Sequence, residues 1–95
     1  MPARRAQRKV PGGKLVRVEA VCEGHHLSNL RITGDFFVHP EEALASIERD
    51  LEATGLSGNE PDLEMLVGAV IVASDARLVG FGAKDIADLL REIRC

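Results

Sequence analysis

The chain has 95 residues, 45% of them apolar and 28% charged, with a formal net charge of −3. That is the size and balance of one globular domain. Three phenylalanines are the only aromatics, with no Trp or Tyr, so the core must be aliphatic and the stacking platforms that hold single-stranded nucleic acid are missing. The apolar run Val67 to Ala73 falls far short of the ~20 residues needed to cross a bilayer.

The charge is unevenly spread. Residues 1–18 hold six basic residues (Arg4, Arg5, Arg8, Lys9, Lys14 and Arg17) and no acidic one, while the rest of the chain carries six basic and all 15 acidic residues. Such a segment reads either as a tail that touches nucleic acid, membrane or an acidic partner, or as a solvated, mobile terminus. The second reading divides the chain into a flexible basic arm, 1–12, and a single domain, 13–95, entered through Pro11-Gly12-Gly13.

From residue 14 to 22, Val16, Val18, Ala20 and Cys22 fall on one face, with Arg17 and Glu19 on the other. That is the period of a half-buried strand. Glu23-Gly24-His25-His26 supplies a turn, and residues 27–33 alternate again with Leu30 and Ile32 inward. The two runs predict an antiparallel hairpin. Gly34-Asp35 interrupts it, and Phe36-Phe37-Val38 suggests a short third strand. His39-Pro40-Glu41-Glu42 predicts a helix start, with Pro at the first helical position and carboxylates near the positive end of the helix dipole. Leu44, Ile47 and Leu51 continue that helix to Gly55. Pro61 opens a second helix with Leu63, Leu66, Val67, Val70 and Ile71 on one face, although Ala69 to Ala73 is β-branched enough to suit a strand. After Gly80-Phe81-Gly82, residues 83–94 form a third helix with Ile86, Leu89, Leu90 and Ile93 inward. Strands followed by helices predict an α+β domain: a small antiparallel sheet with three helices packed on one face.

Chemistry-bearing motifs are absent. Cys22 and Cys95 lie 73 residues apart with no metal-ligand or framework spacing. They read as reduced thiols, Cys22 buried and Cys95 exposed, in a cytoplasmic protein whose N-terminus lacks an apolar stretch after its basic residues. Adjacent His25 and His26 read as exposed turn residues, and His39 as a helix-boundary residue. Gly12-Gly13-Lys14 lacks the full phosphate-loop pattern and precedes a strand instead of a helix. Gly80-Phe81-Gly82 lacks the third glycine and the βαβ context of a dinucleotide fingerprint. The pairs Glu41/Glu42 and Asp85/Asp88 suit first helical turns. No catalytic residue and no metal ligand is assigned.

The unusual stretch is Gly34-Asp35-Phe36-Phe37. Neighbouring residues on a strand face opposite sides, so one Phe enters the core and the other stays at the surface. Gly34 permits backbone conformations other residues avoid, and Asp35 can accept from nearby backbone N–H groups. The stretch is either a bulge that closes the sheet or an interaction surface, and the residues leave both open.

With its flanks, this stretch resembles the C-terminal accessory domain of lipoate–protein ligases. The matching segments are Gly13-Lys14-Leu15-Val16-Arg17-Val18; Ile32-Thr33-Gly34-Asp35-Phe36-Phe37-Val38 with Pro40-Glu41-Glu42; Ile47-Glu48 with Leu51; and Gly80-Phe81 with Asp85-Ile86-Ala87-Asp88-Leu89-Leu90. Together they cover about residues 13–94. The resemblance implies a stand-alone small subunit of a bipartite ligase, not catalytic by itself. The large catalytic subunit would bind lipoate and ATP, make lipoyl-adenylate and pass lipoyl to a lysine of a 2-oxoacid dehydrogenase E2 domain or a glycine-cleavage H protein. This chain alone would bind no cofactor. Lys14, Gly34, Asp35, Phe36 and Phe37 would meet the large subunit, with Lys14 approaching the nucleotide phosphates. Two other classes stay open: an iron–sulfur scaffold or sulfur-acceptor-like protein, and a basic-armed adaptor module.

Overall fold

The computed structural model describes residues 3–12 and 14–95; Met1, Pro2 and Gly13, on which part of the expected arm and its boundary fall, lie outside the described residues. The fold is α+β. Strands β1 (Arg4–Lys9), β2 (Leu15–Glu23) and β3 (His26–Gly34) form one antiparallel sheet in the order β1-β2-β3. Strands β4 (Phe37–His39) and β5 (Arg77–Val79) form a separate two-stranded antiparallel ribbon, and the helices are α1 (Ala43–Ala53), α2 (Leu63–Ala73) and α3 (Ala83–Glu92).

β2 carries the period read from the sequence: Val16, Val18 and Ala20 are buried. On β3 the period breaks. Leu27, Leu30 and Ile32 are all buried, although Leu27 and Leu30 are three residues apart. The register explains this: Glu19 lies opposite Arg31 and Val21 opposite Ser28, so β3 has one residue more than β2 across this step. The extra residue is a bulge that moves the inward face from even to odd positions. Asn29 sits in it at φ 51°, a left-handed conformation that Asn tolerates better than most residues.

The structure departs from expectation at β1 and at α1. Residues 4–9 are a strand, not a solvated arm, and β1 rather than the Phe36–Val38 segment is the third strand of the main sheet. The sequence hides this strand because Ala6 is its one buried apolar residue. Its arginines replace the missing apolar face with polar contacts. Arg8 Nη1 pairs with Asp88 of α3 at 2.8 Å, Arg4 donates to the Arg94 carbonyl at 2.7 Å, and Arg5 pairs with Glu19, its cross-strand neighbour, at 2.8 Å. Such exposed pairs are individually worth about 0–1 kcal/mol, so the backbone ladder carries most of the pairing. The other correction concerns α1, which begins at Ala43 and not at Pro40. Residues 40–42 make a tight turn in which Ala43 N–H donates to the Pro40 carbonyl and Leu44 N–H to Glu41. His39 therefore ends β4, opposite Arg77, and does not cap a helix.

α1 lies against β3 and α3 against β1 and β2, while α2 packs chiefly on α1 and α3. The β-branched stretch Ala69–Ala73 is helical, because Leu63 and Val67 are driven into the core and Leu66, Val70 and Ile71 pack beside it. Sitting one layer out, α2 leaves Met65 and Val72 exposed at 74% and 78%. The free edge of β3 is covered. Glu48 and Glu52, one turn apart on α1, accept the Ile32 and Leu30 N–H groups at 2.7 and 2.8 Å. An edge whose donors are engaged by side chains no longer offers a template for another strand.

The third correction concerns the cysteines. Cys22 and Cys95 are joined in a disulfide, with Cα atoms 5.6 Å apart, and neither is a free thiol. β2 and α3 end beside one another, which no spacing along the chain reveals.

Candidate functional site: the Gly34–Phe37 end

The segment joining β3 to β4 meets the start of β2 and the turn before α3. Gly34 lies opposite Val16 at φ 150°, and a Cβ there would collide with the Leu15 carbonyl oxygen. The close approach lets the next residue bond: Asp35 N–H donates to that same Leu15 oxygen at 2.9 Å. Glycine is thus required by both backbone angle and space. Asp35 is exposed, and its N–H, not its carboxylate, makes the bond that closes this end.

Phe36 and Phe37 divide as period two requires. Phe36 packs against the core and stacks on Phe81, ring centroids 4.1 Å apart. Phe37 is 61% exposed and opens β4 directly opposite Val79, itself 42% exposed. An exposed apolar cross-strand pair on a three-residue ribbon removes little apolar area from water and so contributes little to the isolated fold. Beside it lies a depression of about 190 Å³ lined by Phe36, Phe37, Val38, His39, Glu41 and Leu44. Sequence reasoning missed β5 and with it Val79; three residues between Ala76 and Gly80 are too short for period two to register.

Lys14 joins the same end. Val10 N–H donates to its carbonyl at 2.8 Å across the β1–β2 turn. A Cβ on Gly80 would lie 3.2 Å from Lys14 Cγ, so the lysine's methylenes run along the glycine. Lys14 makes no ion pair among the described residues. Lys14, Gly34, Asp35 and Phe36 therefore lie together with Gly80-Phe81, and Phe37 projects outward from the same segment. At the following turn, Asp85 accepts the Gly82 N–H at 2.9 Å and fixes the start of α3.

The other two histidines lie at the opposite end of the main hairpin. His25 lies in the β2–β3 turn and His26 opens β3, both exposed, with His26 Nε2 4.0 Å from Glu23. Among the described residues no group of three or more His, Cys, Asp or Glu is placed to hold a metal ion. A larger groove of about 590 Å³ between α2 and α3 is lined by Pro61, Asp62, Glu64, Met65, Gly68, Ala83 and Arg91. It offers carboxylates and a guanidinium but no hydroxyl, thiol or imidazole. No helix among the described residues is long and apolar enough to cross a membrane.

A three-stranded sheet backed by three helices, with a small ribbon and an exposed apolar pair at one end, defines an α+β fold. No family model and no curated protein matches the sequence. Among solved structures, the fold is similar to a chain from an archaeal lipoylation system, a bi-partite lipoate protein ligase and its E2 lipoyl domain from Thermoplasma acidophilum, with a TM-score of 0.62 and 20% identity. The likeness covers 95% of this chain and 98% of that one.

Proposed function

We propose that this chain is the non-catalytic accessory subunit of a two-part lipoate–protein ligase. Lipoate and ATP would bind on the large catalytic subunit, and docking of this chain would order that subunit's loops so that lipoyl-adenylate forms. Transfer to an acceptor lysine on an E2 lipoyl domain or an H protein would follow. The observation that carries the proposal is the similarity of fold, end to end over both chains, to a chain of a bi-partite lipoate protein ligase system. Part of the family resemblance adds support, because Lys14, Gly34, Phe36, Gly80 and Phe81 lie together at one end of the molecule.

In this reading Phe37 and Val79 meet the large subunit, Gly34 and Asp35 hold the ribbon in place, and Lys14 supplies a cation at the same edge. Alignment of two substrates can lower a barrier by several kcal/mol without any catalytic group from the aligning subunit. The scaffold alternative is less well supported, since the closed Cys22–Cys95 bond occupies both thiols and no group of three or more His, Cys, Asp or Glu among the described residues is placed to hold a metal. The basic-armed alternative is less well supported, since residues 4–9 are a strand of the sheet and not a free arm.

The test is association. A purified ligase domain that lacks a C-terminal accessory part should bind this chain in a titration. Phe37→Glu should weaken that binding by about tenfold or more, as loss of an aromatic anchor does, while leaving the isolated chain's stability within about 0.5 kcal/mol. Equal binding by the variant would remove Phe37 from the interface, and no binding by either protein would remove the proposal.

A further inference from the structure

The Cys22–Cys95 bond lies far from the candidate site. β2 runs from Leu15, beside Gly34, to Cys22 at the hairpin end, a distance of ~23 Å at the rise of an extended strand. Several contacts converge on the same distal end. Leu27, paired with Cys22, donates its N–H to the Leu56 carbonyl at 2.7 Å. Cys95 N–H donates to Ser57 at 2.9 Å, and Asn59 Nδ2 donates to the Cys95 carbonyl at 3.0 Å. Gly58 approaches Leu90 and Arg94 so closely that a Cβ there would clash with the Leu90 carbonyl and with Arg94. The hairpin, the loop 55–60 and residues 93–95 are thus one packed unit, and the disulfide is its covalent fastening across 73 residues of chain. Both cysteines are partly exposed, so the bond is not sealed within the core.

We infer that the disulfide is a redox-responsive clamp on this distal unit, setting the stability of the chain without altering the Gly34–Phe37 end. Opening is a two-electron reduction. One thiolate of a dithiol reductant attacks a sulfur of the bond, the other cysteine leaves as a thiolate, and the reductant's second sulfur then displaces the mixed disulfide. The reductant ends as a disulfide, and Cys22 and Cys95 end as two thiols. Closure runs in reverse with a disulfide oxidant such as glutathione disulfide, which takes up the two electrons and leaves as two glutathione thiols. Because the bond spans a long loop, its loss should release much conformational freedom in the unfolded chain.

The inference does not depend on the ligase proposal and is tested on the isolated chain. Thiol titration of the denatured protein should find no free thiol after treatment with glutathione disulfide and two after dithiothreitol. Reduction should lower the Tm by on the order of 10 °C or more. Amide exchange should quicken in residues 55–60 and 93–95 and stay unchanged at residues 34–38 and 80–82. The double variant Cys22→Ser, Cys95→Ser should reproduce the reduced protein and ignore both reagents. Two thiols that persist in glutathione disulfide, or a Tm that ignores reduction, would overturn the inference. So would reduction that quickens exchange equally at both ends or unfolds the whole chain.

Discussion

Gly34 shows how one residue type can serve structure and contact together. Its φ of 150° and the closeness of the Leu15 carbonyl leave no room for a side chain, so Gly34→Ala must displace β2 or break the Asp35–Leu15 bond. We expect a loss of about 2 kcal/mol or more by urea denaturation. Two carboxylates make a different claim at this scale. Hydrogen bonding from Lys84, then from Arg8, outweighs partial burial and holds Asp88 below its ordinary value of 3.8. Burial alone would raise Glu60, but bonds from the backbone of Ser57, Glu60 and Gly58 and from the Ser57 hydroxyl outweigh it, and its value falls below 4.5. A carboxyl depressed in the folded state binds its proton more tightly in the unfolded chain. Its contribution is therefore complete above the unfolded pKa and lost as pH falls through the folded one. Urea midpoints should hold steady above about pH 5 and decline below it. Glu60→Gln should flatten part of that decline, and a midpoint equally steep in the variant would deny Glu60 its share.

Among the elements, α1 closes the sheet edge. Glu48 and Glu52 are spaced to reach alternate N–H groups of β3. Glu48→Ala or Glu52→Ala should each cost about 1–2 kcal/mol, since a partly buried donor loses its partner. The double variant should also associate through the freed edge, visible as rising light scattering with concentration. Elements also differ in how far the sequence disclosed them. β2, α1 and α3 were legible because their apolar residues follow the period of the element. β1 was not, because a single Ala6 marks its inner face and the backbone ladder to β2, which leaves no pattern in the side chains, carries most of the pairing. The third-strand role expected of Phe36–Val38 went instead to β1, since Gly34 and Asp35 turn the chain away from the main sheet to pair with a β5 too short to recognise. The bulge at Asn29 was likewise hidden, as two residues facing one on the partner strand leave no mark in a single run. Within the candidate site the division of Phe36 from Phe37 was legible from period two, whereas Val79 and the stacking of Phe36 on Phe81 depend on contacts more than 40 residues apart.

At the scale of the whole molecule the ends are specialised. One end is fastened by a disulfide that two cysteines 73 residues apart did not announce; the other gathers Lys14, the Gly34–Phe37 segment and an exposed apolar pair. The fold is shared with a chain of a bi-partite lipoate protein ligase system, and the proposed function puts the chemistry on another chain. The most direct test follows formation of lipoyl-adenylate from lipoate and ATP by a purified large catalytic domain, with and without this chain. The account predicts little or no adenylate from the large domain alone, none from this chain alone, and a rate that rises with added chain until the two are equimolar. A large domain that forms adenylate equally fast without this chain would contradict it.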